Sequence, residues 1–205
     1  MDKQQLKIEA STRLEELLTK AEAAKVVDGQ IEATKLDGVK KVEALSVQLV
    51  DVNEALKGAG TIEIARQAKN TIDSLKDDIE LQKSLNTNNV ESKKTELNTV
   101  VTEFFDAYKA LKTSYTALDT EVALTINIRS LDEDEQTMRN ISFEAENALR
   151  EIKNILIKHG VIKQGEHLYK SFHLNQAPLD AYAKYVNVLT ELKPTKANLA
   201  SQGIK

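Results

Sequence analysis

The amino-acid sequence predicts an all-α protein, an elongated antiparallel helical bundle of about five helices with no substantial sheet, and three observations lead there. From Leu97 to Val122, apolar residues stand at Leu97, Val101, Phe104, Tyr108, Leu111, Tyr115, Leu118 and Val122. Steps of four and three alternate without a break, the seam of a helix that packs against other helices. Aromatics make up 4% of the 205 residues, with no Trp, two Pro and seven Gly, which is poor material for the turns and strands of a sandwich or barrel. The third observation is a series of caps and polar breaks that divides the chain into helix-length pieces.

Taken in order, Leu6, Ala10, Leu14, Leu17, Ala21 and Ala24 set a first helical face, carrying the helix through Val27. Asp28-Gly29 and Asp37-Gly38 interrupt it, each Gly costing about 1 kcal/mol against Ala inside a helix. Because Ile31, Thr34 and Leu36 make no strand, the expectation is one long, imperfect helix. Helical spacing resumes at Val42, Leu45, Leu49, Val52 and Leu56 and stops at Gly58. There the Gly suits a left-handed terminal position, and Thr61 suits the next N-cap. A further element with Ala65, Ala68, Ile72, Leu75 and Ile79 is expected to end in a turn at Asn86-Thr87-Asn88-Asn89, laying it antiparallel to a central helix of about 90–124.

Ala123 to Ile128 reads as a helix end or connector. Ser130-Leu131-Asp132-Glu133 has the form of a capping box, and Asp132 to Glu135 places negative charge at the positive end of a helix dipole. The helix that follows shows Met138, Ile141, Ala145, Ala148, Ile152 and Ile155 and is stopped by His159-Gly160. Residues 161–177 lose the register. Pro178 opens a last helix with Leu179, Tyr182, Val186, Leu189 and Leu192, ending before Pro194. The domain expectation is a single elongated helical domain over 1–193 and a flexible polar tail over 194–205.

Charge and motifs argue against chemistry. Charged residues are 29% of the chain and the formal net charge is -4, which leaves no basic footprint for nucleic acid. With no Cys, disulfides, zinc ribbons and thiol nucleophiles are excluded. Asp132 to Glu135 fails as a calcium loop, because Thr137 and Phe143 stand where Gly and a bidentate acid are required. His159, His167 and His173, near Glu166 and Asp180, include no i, i+4 pair on one helix. Gly-x-Ser-x-Gly and a phosphate-binding Gly loop are both missing, and Gly58-Ala59-Gly60 follows no strand. No catalytic, cofactor or metal site is therefore expected. No run reaches the roughly 18 apolar residues of a membrane span. The opening Met1-Asp2-Lys3-Gln4-Gln5 has none of the parts of a signal peptide, so the expectation is a chain made in the cytoplasm.

Three stretches then combine into a family likeness: Leu56-Lys57-Gly58 at the end of a long first helix, Phe104-Phe105-Asp106-Ala107-Tyr108-Lys109 in a long middle helix, and Leu131-Asp132-Glu133-Asp134-Glu135 opening the next. Their order resembles the LXG domain, the N-terminal targeting module of toxins exported by the type VII secretion system of Gram-positive bacteria. Leu-x-Gly occurs again at Leu36-Asp37-Gly38, and Tyr115 with Asp119 matches the Tyr-x-x-x-Asp/Glu pattern of type VII export. The resemblance implies a non-enzymatic helical module that pairs with small helical proteins and leaves the cell by that route. It implies partner contacts at Leu56, Gly58, Phe104, Tyr108, Tyr115 and Asp119. The residues alone leave open whether the aromatic seam is core or interface, since both write the same heptads. A homo-oligomeric assembly or scaffolding protein, such as a phage structural component, is the alternative.

Overall fold

The first break in the backbone comes at residues 58–61. The computed structural model describes residues 2–124 and 128–165, giving the backbone alone for 123, 124, 128–132 and 135. Ahead of the break, α1 runs over Lys3–Lys57 and carries both Asp-Gly pairs inside it. Val27 and Ile31 are buried on either side of Gly29. Burying each is worth about 1.5–3 kcal/mol, more than the roughly 1 kcal/mol a helical Gly costs, so the helix continues as expected.

At the break, the Gly58 amide donates to the carbonyls of Glu54 at 3.3 Å and Ala55 at 3.2 Å. Gly58 is not left-handed; that conformation belongs to Gly160 (φ 70) and Gly165 (φ 90). Thr61 is the N-cap of the next helix, its hydroxyl accepting from the Ile64 amide at 3.3 Å, and it satisfies one of the orphan donors of the first turn.

The second helix corrects the sequence expectation. α2 spans Ile62–Leu124 and passes through Asn86-Thr87-Asn88-Asn89 without turning. Each of these polar residues costs up to about 0.7 kcal/mol of helix propensity, and none lacks an amide N–H or forces a positive φ. Against that cost, Ile72, Leu75, Ile79, Val90 and Leu97 are buried along one face, and that face requires helical phasing throughout. Two expected helices are therefore one, and the described residues contain three helices and no strand. The expected fifth, over 178–193, lies outside the described residues, as do His167 and His173.

The third helix, α3, covers Ile128–Lys158. It starts two residues ahead of Ser130, so Ser130 is not its cap, and Glu133 bonds to Lys7 at 2.9 Å rather than reaching back. The C-terminus ends at His159-Gly160 as the sequence indicates. The Gly160 amide donates to Ile157 at 3.0 Å and the Val161 amide to Leu156 at 2.9 Å, the paired bonds of a Schellman stop around a left-handed Gly.

The contacts sort the chain into two compact units, the first formed by 1–25 with 99–205 and the second by 26–98. Over the described residues the first is a three-helix bundle. The first part of α1 lies antiparallel to the last part of α2, Lys20 meeting Glu103 at 2.7 Å and Ser114 donating to Glu9 at 3.0 Å. It runs parallel to α3, with Lys7 on Glu133 and Lys25 on Glu151 at 2.8 Å. The core is built from Leu17 on α1, the aromatic seam on α2, and Met138, Leu149 and Ile152 on α3. The second unit is a two-helix hairpin, antiparallel across the turn at 58–61. In it the Lys93 ammonium donates to the Gln30 side chain at 2.8 Å, and Gly38 lies against the side chain of Asn86.

Candidate protein-interaction surface

Of the residues expected at a partner surface, the aromatic three fall in the core of the first unit. Phe104 and Tyr115 are fully buried and Tyr108 nearly so. Phe104 meets Phe105 edge to face, with ring centroids 5.3 Å apart. The Tyr115 hydroxyl donates to the carbonyl of Met138 at 3.3 Å, which gives a buried phenol the partner it requires. Asp119 is half-buried on the same helix. Leu56 is half-buried and Gly58 exposed, both beside the turn of the second unit. The structure thus brings Phe104, Tyr108 and Tyr115 together as packing in one unit and leaves Leu56 and Gly58 in the other.

The first unit also holds an ionic cluster. Asp134 is 2% exposed and receives the ammonium groups of both Lys3 and Lys7 at 2.7 Å. Lys7 also reaches Glu133. Burial by itself would raise the Asp134 carboxyl, but hydrogen bonds from Lys3 and Lys7 outweigh it and hold the group below the ordinary carboxylate value. Burial likewise would lower the Lys7 ammonium, and its bonds to Asp134 and Glu133 carry it above the ordinary lysine value instead. The cluster pairs its charges internally and ties the start of α1 to α3. A signal for it exists in the sequence. Extending the α3 seam back four residues from Met138 lands on Asp134, and extending the α1 seam of Ala10 and Leu14 back lands on Lys7 and Lys3.

The surface best suited to association is in the second unit. Between Ile31 and Ile72 no apolar side chain is buried. Val42, Leu45, Leu49, Val52 and Leu56 form the half-buried seam toward α2. Turned away from it on α1 are Leu36, Val39, Val47 and Val50, between 49% and 61% exposed. At 100° per residue these four occupy one stripe, with Glu43 at its middle. On α2, Leu81 and Leu85 are exposed one turn apart. An open groove of about 430 Å³ between the two helices is lined by Ala33, Thr34, Asp37, Asn89, Ser92 and Lys93. Lys93 is already tied to Gln30 and Glu96, so the groove offers no convergent charged set. Chemically the exposed stripes can do one thing well, which is to leave water against another apolar helix face. No described helix is long and apolar enough to cross a membrane.

Comparison with family models, with curated proteins and with solved structures finds no match to this chain.

Proposed function

We propose that this chain is a non-enzymatic protein-interaction module that works by helix pairing, in the manner of the LXG targeting domain it resembles, with a small helical protein as partner and type VII export as the route. One observation carries the reading: over residues 32–71 both arms of a helical hairpin lack any buried apolar side chain, while large aliphatic residues stand in stripes at helical spacing. Isolated helices gain most of their stability from packing an apolar face, and a second helix laid on the hairpin supplies that face with a partner. The paired charges of the Asp134 cluster and the internal use of Tyr115 agree with a structural role for the three-helix unit.

Co-expression with the small helical proteins encoded beside this chain, followed by pull-down, tests the proposal. The expected result is a stable complex that Leu81→Asp and Leu85→Asp disrupt while helix content by circular dichroism stays the same. Failure to recover any helical partner, together with export that does not depend on type VII secretion, rejects it.

A further inference from the structure

We propose that the α1 stripe of Leu36, Val39, Val47 and Val50 docks on the same stripe of a second copy of this chain, as an antiparallel helix pair about a two-fold axis at Glu43. The inference rests on the reading of residues 26–98 as an association surface and names one of its occupants. Its basis is the spacing. Leu36 and Val50 lie seven residues to either side of Glu43, and Val39 and Val47 lie four to either side. A two-fold interface must be self-complementary, with residue i meeting j and j meeting i. A stripe that reads the same in both directions meets that condition: Leu36 falls opposite Val50 of the second copy, and Val39 opposite Val47. All four are exposed on α1.

The same register sets Glu32 opposite Glu54 of the second copy, a like-charge contact at each end of the stripe, while at the axis opposite charges can meet. Glu43 lies on the axis, where it meets its own copy, and two carboxylates alone would repel. Lys40 lies one turn away on the edge of the stripe, and among the described residues neither Lys40 nor Glu43 takes part in an ion pair. Across the axis Lys40 of one copy is displaced by three residues from Glu43 of the other, about 4.5 Å along the helix, within reach of a lysine side chain. The symmetry makes two such pairs, which convert the like-charge contact at the axis into a bridged one.

The test uses the full chain, which has no native cysteine. Under mild oxidation Glu43→Cys, whose thiols would meet at the axis, should cross-link into a covalent dimer. Gln48→Cys, on another side of α1, should form no covalent dimer, because a disulfide needs Cα atoms within about 7 Å. Light scattering on the unmodified chain should give a concentration-dependent doubling of mass, and Val47→Asp should weaken that association at least tenfold. Lys40→Glu should also weaken it, and the exchange Lys40→Glu with Glu43→Lys should restore it. A monomer up to hundreds of micromolar, or cross-linking of Glu43→Cys no faster than of Gln48→Cys, overturns the proposal. The cross-link involves no second protein, so it reads out separately from the Leu81 and Leu85 pull-down; either result can fail while the other stands.

Discussion

Asp134 has more at stake than any other ionisable side chain described. It is a buried carboxylate with two ammonium groups at 2.7 Å, so removing it leaves the largely buried Lys7 ammonium with only the exposed Glu133 carboxylate as its ion-pair partner. Asp134→Ala should cost about 3 kcal/mol, the lower range for breaking a buried pair, measured by urea denaturation at pH 7. Its pH dependence follows from the direction of the shift. The folded carboxyl is held low, so its stabilisation is present above the unfolded value of about 3.9 and fades as pH falls through the lowered folded value. The gap between wild type and Asp134→Ala should therefore close in strong acid. Lys7 is held high, so its share is present below about 10.4 and fades as pH rises past the raised value. Phe104 provides the apolar counterpart. It is wholly buried, and Phe104→Ala should lose about 3–5 kcal/mol by calorimetry or denaturation. The shared face of Phe104, Tyr108 and Tyr115 is legible in their spacing, but their burial inside one unit was not, because a core and a partner interface write the same heptads. The seam positions of Asp134, Lys3 and Lys7 can be read from the spacing, but their pairing depends on which helix lies beside which, and local periodicity does not reveal that.

At the level of the helix, the two interior glycines of α1 separate local propensity from tertiary packing. A side chain at Gly29 would meet nothing within 4 Å, so Gly29→Ala should stabilise the chain by about 1 kcal/mol through helix propensity alone. At Gly38 an added Cβ would collide with the Asn86 side chain, and the same substitution should destabilise. In an Asn86→Ala background the collision is gone, and Gly38→Ala should again stabilise by about 1 kcal/mol, a sign change that a double-mutant cycle will show. The pair also accounts for the mistaken turn at Asn86-Asn89. Asn clusters favour turns when nothing else is at stake, but here Asn86 fits against a residue with no side chain, and the phase from Ile79 to Val90 is kept only if the helix continues. The Thr61 cap and the Gly160 stop were legible because their determinants are local. The apparent capping box at Ser130 failed because α3 already begins at Ile128, which puts Ser130 inside its first turn, and Glu133 bonds across to the Lys7 ammonium instead.

Across the whole molecule, the two units differ in how much apolar surface they bury. The three-helix unit buries side chains in every turn of its α2 segment, whereas the hairpin buries no apolar side chain between Ile31 and Ile72. Native-state hydrogen exchange should show amides of 32–71 exchanging at least tenfold faster than those of 101–118, because local opening there gives up little burial. All-α character was legible throughout from composition and period. The division into units was not, because α1 and α2 each supply both units without any break in the helix to mark the boundary. The separations along the chain carry a further consequence for biosynthesis. Lys20 waits 83 residues for Glu103, Glu9 waits 105 for Ser114, and Lys3 waits 131 for Asp134. The hairpin can close around Thr61 while the ribosome is still reading, but the amphipathic start of α1 emerges first and is covered last. Until α3 has been made, that face is exposed in the nascent chain and is a natural client for a chaperone.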